Sequence, residues 1–99
     1  HTGPYAEAAH RSATVGGGES AVQAELATIA DAGRLIRELG MQFNAGHAVN
    51  YENVSRLAVL SDLRELHIGH SIVSRAIFSG MLEAVRSMKD LIQSATSDT

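Results

Sequence analysis

The sequence predicts an α/β protein, and more narrowly the C-terminal third of a (β/α)8 TIM barrel. Helix-like and strand-like periods alternate along the chain, and two strand-like runs end in the same Gly-His pair. This alternation is typical of parallel strands joined by crossover helices. Each strand-helix unit takes about 25 to 35 residues, and eight units make a barrel of about 250 residues. The 99 residues would be its last third, and a doubly wound open sheet is the competing architecture.

The first segment, HTGPYAEAAH, has no methionine and no capping signal. We interpret it as the end of a strand that runs into a loop, so residues 1–99 are expected to be one partial barrel domain cut from a longer chain. Residues 10–18 contain three consecutive glycines, which lose much backbone entropy on ordering. They predict a flexible glycine-rich loop in which His10 is solvated.

A helix and a short strand follow. Apolar residues recur at steps of three and four over residues 19–39, which predicts a helix with one buried face and Gly40 as its C-terminal cap. Residues 41–47 (MQFNAGH) alternate as in a strand that ends in Gly46-His47. In the barrel these are helix 6 and strand 7, and the strand end that precedes them is the end of strand 6.

The second strand repeats the first. Asn50 is predicted to cap a short helix, barrel helix 7, because its side chain can accept from an unpaired backbone N–H. A turn at Asp62 leads into strand 8, residues 63–70 (LRELHIGH), which closes with Gly69-His70.

The chain is predicted to end in two helices. Residues 71–78 form a short extra helix, Ser79-Gly80 interrupts it, and residues 81–94 form helix 8. Residues 95–99 are expected to be a frayed tail.

Alternate positions of the two strands are predicted to face opposite sides. The side expected to face the helices carries Met41, Phe43, Leu66 and Ile68, and the side expected to face the barrel interior carries Gln42, Asn44, Glu65 and His67.

Composition excludes several functions. The net charge of −3 and the pI near 5.9 give no basic field for nucleic acid or for an anionic membrane surface. No apolar run approaches the roughly 20 residues that span a bilayer, and no signal peptide is recognisable. The absence of cysteine excludes disulfides, thiolate zinc sites and a cysteine nucleophile. It is compatible with the cytoplasmic location that we expect.

The Gly-His pairs indicate a candidate anion site. In a barrel, phosphate is often held by the loops after the last two strands and by the N-terminus of a short extra helix, which is where Gly69-His70 falls. Glycine lets the backbone approach an anion, and histidine adds a donor. A tight turn is the alternative interpretation of such a pair, and the matching Gly46-His47 favours the site.

Other histidine and serine patterns have simpler interpretations. His67 is interpreted as a hydrogen-bonded residue of the barrel interior rather than a catalytic group. We expect no metal at His47, His67 and His70, because an H-x-x-H spacing on a strand puts two rings on opposite faces. Ser71 and Ser74 can cap the helix or contact phosphate, but no base is placed to activate either.

Three stretches resemble the closing strands and helices of the pyridoxine 5′-phosphate synthase family: HTGPYAEA, NAGHAVNYENV and ELHIGHSIVSRAIFSGMLEAVRSMK. The resemblance implies a (β/α)8 barrel that condenses 1-deoxyxylulose 5-phosphate with 3-amino-2-oxopropyl phosphate, without a metal or redox cofactor. The products are pyridoxine 5′-phosphate, phosphate and water.

The resemblance also implies roles for individual residues. His47 would be the general acid, and Gly69 and His70 would contact the phosphate of the amino ketone. Ala48 stands where the family has a glycine that contacts the same substrate. The family's other acid/base groups belong to the preceding part of the barrel, so we expect this chain alone to be inactive and to need that part, and the whole to form a homo-oligomer.

A hypothesis of another class remains beside this one. The chain could be a non-catalytic α/β module that assembles by strand complementation, using its open strand edges to bind a partner.

Overall fold

The structure is a computed structural model that describes residues 1–16 and 18–97. Its elements, in chain order, are α1 (Gly3–Val15), α2 (Glu19–Glu38), β1 (Phe43–Gly46), α3 (Val54–Ala58), β2 (Leu63–His67), α4 (His70–Ser79) and α5 (Met81–Ser97). The two strands pair in parallel, as their helical crossover predicts. The chain is therefore an α/β protein with a small parallel sheet. In the part of the chain that the structure describes, no helix has the length and apolar character needed to cross a membrane.

Helix α1 corrects the prediction for the first segment. Residues 3–15 are helical, so the loop predicted after the strand end and the flexible loop predicted over 10–18 are wrong as far as residue 15. Alanines favour the helix, and Arg11 forms an ion pair with Glu7 one turn away, at 2.6 Å. The glycine run ends the helix only at Gly16, whose φ is +82°. Gly17 lies outside the described residues, and His10 is exposed as predicted.

Helix α2 packs closely on β1. A Cβ atom at Gly33 would lie 2.4 Å from Cε2 of Phe43, so only glycine lets the helix approach the strand this closely. The helix ends at Glu38, one residue before the predicted Leu39. Gly40 follows with a φ of +79°, and its N–H donates to the carbonyl of Arg37 at 3.0 Å, as expected of a C-terminal cap.

The two faces of the sheet divide nearly as predicted. Phe43 and Ala45 are buried, and Leu66 and Ile68 pack against the core. The exposed face carries Gln42, Asn44, Glu65 and His67. Met41 is an exception, since it lies two residues before β1 and is 52% exposed. At that distance from the strand, the alternation no longer fixes where a side chain points.

The core lies between the helices and this apolar face of the sheet. Its buried members are Tyr5, Val22, Val49, Val54, Leu57 and Met88. Tyr5 also ties α1 to the loop before α3, because its hydroxyl donates to the carbonyl of Asn53 at 2.7 Å.

The last two helices extend further than predicted. Helix α4 already begins at His70, and α5 continues to Ser97, so the predicted frayed tail of 95–99 is wrong for residues 95–97. Residues 98 and 99 lie outside the described residues. The interruption between the helices is confirmed at Gly80, whose φ is +86°.

Glu83 connects α4 to α5. Its Oε1 accepts from the hydroxyl of Ser87 at 2.5 Å and lies 3.4 Å from Nη2 of Arg75. The hydroxyls of Ser79 and Ser87 and the guanidinium of Arg75 stabilise the carboxylate and lower the pKa of Glu83 to about 2.

This lowered pKa predicts an acid-sensitive contribution to stability. The folded pKa lies below the ordinary value of 4.5, so the contribution is complete above about pH 4.5 and is lost as the pH falls toward 2. We expect Glu83→Gln to lower the Tm at pH 7 more than at pH 3, measured by circular dichroism. Glu38→Gln, at the exposed end of α2, is the matched control. A Tm loss for Glu83→Gln that is equal at both pH values would contradict this prediction.

Candidate functional site

The carboxyl ends of β1 and β2 open into one cleft of about 800 Å³. Its walls are formed by His47, Ala48, Val49, Asn50, His67, Ile68, Gly69, His70, Ser71 and Ser74. The cleft contains all four residues predicted from the sequence as catalytic or substrate-binding. Parallel pairing places the carboxyl ends of both strands at the same edge, so it brings the two Gly-His pairs together.

His47 lies directly after β1 in an unusual backbone conformation. Its φ is +90° and that of Ala48 is +60°, so two consecutive residues with side chains have positive φ. The left-handed conformation costs a residue other than glycine about 1–2 kcal/mol. Such strain persists only where surrounding contacts maintain it, and it is concentrated at functional sites.

Ala48 keeps the backbone conformation that a glycine adopts freely. The resemblance puts a glycine at this position, and the φ of +60° shows that alanine retains the left-handed geometry. Its carbonyl accepts from Nδ2 of Asn53 at 3.1 Å. The backbone of Ala48 is therefore held in place despite the added methyl group.

A reciprocal pair of asparagines fixes the loop that follows. Oδ1 of Asn50 accepts from the N–H groups of Glu52 and Asn53, both at 2.9 Å, and Oδ1 of Asn53 accepts from the N–H of Asn50, also at 2.9 Å. These bonds resemble a capping box, but they lie before α3. Asn50 accepts from backbone N–H groups as predicted, but the prediction that it caps the helix is wrong: α3 begins at Val54 with Asn53 as its N-cap, because three turn residues separate Asn50 from the helix.

Contacts from the start of the chain also hold His47, and sequence reasoning missed them. The N–H of Thr2 donates to the carbonyl of Gly46 at 2.8 Å, and the Thr2 hydroxyl lies 2.6 Å from the carbonyl oxygen of His47. The ring of His1 stacks on that of His47 with centroids 4.2 Å apart. Thr2 and His47 are 45 positions apart, so no local pattern indicates the contact.

The beginning of α4 presents backbone donors to the cleft. The N–H of Val73 donates to the carbonyl of Gly69 at 3.0 Å, and the amides of His70, Ser71 and Ile72 precede that first helical bond. These amides and the helix dipole favour an anion at this end. The Ser71 hydroxyl donates to the carbonyl of Val49 at 2.8 Å, which ties α4 to the loop after β1.

Packing does not require a glycine at position 69. A Cβ atom there would meet no heavy atom within 4 Å, and the φ of −132° lies outside the left-handed region that favours glycine. Neither close packing nor a left-handed backbone therefore explains the glycine, which leaves the surface at the start of α4 without a side chain.

His67 lines the same cleft. Its Nε2 lies 3.2 Å from Oε1 of Glu65, and its side chain is 64% exposed on the open face of the sheet. Its predicted role as a hydrogen-bonded interior residue stays a prediction. Within residues 1–16 and 18–97, no group of three His, Asp or Glu side chains is arranged to hold a metal ion.

Comparisons with known proteins identify the family. The family model described as "Pyridoxal phosphate biosynthesis protein PdxJ" matches residues 1–94. The chain is 58% identical over 98 residues to a protein of Dechloromonas aromatica and 55% identical over 98 residues to one of Azoarcus sp., both named pyridoxine 5′-phosphate synthase. These matches cover 96% and 98% of this chain but 38% and 39% of the relatives, so the chain spans less than half of their length. The chain therefore belongs to the PdxJ family of pyridoxal phosphate biosynthesis proteins.

Proposed function

We propose that this chain supplies the general acid and part of a phosphate site of a pyridoxine 5′-phosphate synthase. The enzyme condenses 1-deoxyxylulose 5-phosphate with 3-amino-2-oxopropyl phosphate to give pyridoxine 5′-phosphate, phosphate and water, without a metal or redox cofactor. The observation that carries the proposal is the single cleft into which His47, Gly69 and His70 all open, at the carboxyl ends of two parallel strands.

His47 is the general acid in this proposal. An imidazole can both donate and accept protons near neutral pH, and condensation requires that a departing hydroxyl group be protonated so that it leaves as water. Thr2 bonds to the carbonyl of Gly46 before the imidazole, and Thr2 and Asn53 hold the backbone after it. A fixed backbone supports a proton donor because proton transfer requires hydrogen-bond distance and alignment.

Gly69 and His70 bind the phosphate group of the amino ketone. The open space at Gly69 lets an anion reach the amides at the start of α4, and His70 adds a side-chain donor at the same end. The backbone of Ala48, which lines the same cleft, contacts the same substrate. This assignment places the phosphate and the proton donor within one cleft of about 800 Å³.

The remaining strands of a (β/α)8 barrel complete the protein in this proposal. The chain exposes 6388 Å², whereas a compact monomer of 10.5 kDa exposes about 5,400 Å² by the usual scaling with mass. Large apolar side chains on α4 and α5 are exposed, including Ile77 at 78%, Phe78 at 90% and Leu82 at 73%. The preceding part of the barrel would cover these side chains and pair with the open sheet. A homo-oligomer in the cytoplasm is part of the same proposal.

The alternative of a non-catalytic module rests on the same open sheet. Strand complementation would use the edges of β1 and β2 and would not require the cleft to bind a phosphate ester. Both hypotheses predict that the chain binds a complementary barrel segment, so binding does not distinguish them. Catalytic turnover does, because only the enzyme hypothesis predicts it.

A chimera tests the proposed function. The part of the Dechloromonas aromatica relative that precedes the matched segment is joined to residues 1–99, and formation of pyridoxine 5′-phosphate is assayed from the two phosphorylated substrates. We expect turnover by this chimera and none by the 99-residue chain alone. A folded chimera without activity would refute the proposed function, and turnover by the isolated chain would refute the need for the preceding segments.

A further inference from the structure

We infer that residues 1–3 position the imidazole of His47, with Thr2 fixing its backbone and Gly3 making room for its ring. The inference rests on the proposed function for the meaning of His47 in catalysis, but its structural part stands on the contacts of this chain. Thr2 and Gly3 are positioning residues here, since neither is assigned a contact with substrate.

Thr2 contacts two consecutive carbonyl groups of the strained backbone, those of Gly46 and His47. Its N–H donates to the carbonyl of Gly46, and its side chain, which is buried, has its hydroxyl 2.8 Å from that oxygen and 2.6 Å from the carbonyl oxygen of His47. A hydroxyl has one proton, and the carbonyl of Gly46 already accepts from the N–H of Thr2. The hydroxyl proton therefore goes to His47, the nearer oxygen, and fixes the peptide that follows the imidazole.

This bond matters because the conformation at His47 is unfavourable by itself. The φ of +90° at His47 and that of +60° at Ala48 would relax without external contacts. Asn53 holds the carbonyl of Ala48, and Thr2 holds those of Gly46 and His47, so three consecutive carbonyls are anchored. The direction in which the imidazole leaves the backbone is thereby set.

Gly3 leaves space for the ring of His47. A Cβ atom at Gly3 would lie 3.2 Å from Cδ2 of His47 and 2.8 Å from Cε1 of His1. A hydrogen atom in that direction fits, whereas a methyl group would displace one of the two rings. The His1 ring covers His47 from one side at a centroid distance of 4.2 Å, and its Nδ1 accepts from the N–H of Gly3 at 3.3 Å.

The first test is structural and uses the 99-residue chain. A nuclear Overhauser contact is expected between an α-hydrogen of Gly3 and Hδ2 of His47 in the wild type and in Thr2→Ser, which keeps the hydroxyl. Thr2→Val keeps the shape but removes the hydroxyl, and the contact is expected to weaken or disappear. Thr28→Val is the matched control, because it removes an exposed hydroxyl that bonds only within α2, to Ala24. An unchanged contact in Thr2→Val would overturn the inference.

The second test measures catalysis in the chimera. We expect Thr2→Val to lower kcat about tenfold or more at nearly constant KM, because misplacement of a reacting group affects the chemical step, and Thr2→Ser to keep wild-type kcat. Equal losses in Thr2→Val and Thr2→Ser would overturn the role of the hydroxyl. If Thr2→Val does not fold, Gly3→Ala is the deciding variant, because it keeps the bonds of Thr2. Its methyl group is expected to shift the ring of His47 and to lower kcat, and an unchanged kcat would overturn the role of Gly3. An inactive wild-type chimera would refute the proposed function, while the nuclear Overhauser experiment would still decide the positioning.

Discussion

Replacing His47 with alanine is expected to reduce turnover of the chimera by about 100- to 10,000-fold, the usual contribution of a general acid. The reason is the position of the imidazole at the cleft, with its backbone anchored by Thr2 and Asn53. Because the side chain is exposed and lies outside the core, its removal should leave the fold intact. The measurement is the steady-state kcat together with the Tm of each variant.

His10→Ala is the matched control for this substitution. His10 is also an exposed histidine, but it lies on α1 and does not line the cleft that contains His47. We expect its kcat and Tm to stay at wild-type values. If His47→Ala retained more than a tenth of the wild-type kcat, the assignment of His47 as the general acid would be wrong.

Replacing His70 with alanine is expected to weaken binding of the amino ketone phosphate about 10- to 100-fold. A hydrogen bond to a charged group contributes about 1.5–3 kcal/mol, which corresponds to that range in affinity. Helix α4 should remain folded in this variant, because alanine favours helices and His70 is the exposed first residue of α4. Isothermal titration of the chimera with the phosphorylated ketone measures the change.

Gly69→Ala gives an independent check of the same phosphate site. The space around position 69 is open and its φ is not left-handed, so the Tm should change little, while we expect the methyl group to obstruct an anion that approaches the amides of α4. We expect weaker binding of the phosphorylated ketone with unchanged stability. Wild-type affinity in both His70→Ala and Gly69→Ala would show that the phosphate binds elsewhere.

Much of the fold follows from periodicity that is visible in the sequence. The helix from residue 19, the two parallel strands and the break at Gly80 each follow from local spacing or from a glycine at the end of an element. The alternation of the strands also predicts the exposed polar side of the sheet, because successive side chains point to opposite faces.

The first segment shows where local reasoning fails. The glycines at 16–18 suggested a long loop, but the alanines and the Glu7–Arg11 pair continue α1 to residue 15. Burial of Tyr5 and its bond to Asn53 anchor that helix to a segment 48 positions away. Such a distant contact leaves no periodic trace in the sequence.

The order of strands and helices, the family resemblance and the candidates His47, Ala48, Gly69 and His70 can all be inferred from the amino-acid sequence. That these residues open into one cleft, and that His47 and Ala48 adopt positive φ, is visible only in the folded chain. The contacts of Thr2 and Gly3 with His47 are likewise visible only there. The physical reason is that strand and helix periods arise from neighbours along the chain, whereas a site is formed by hydrogen bonds and close approaches between distant segments.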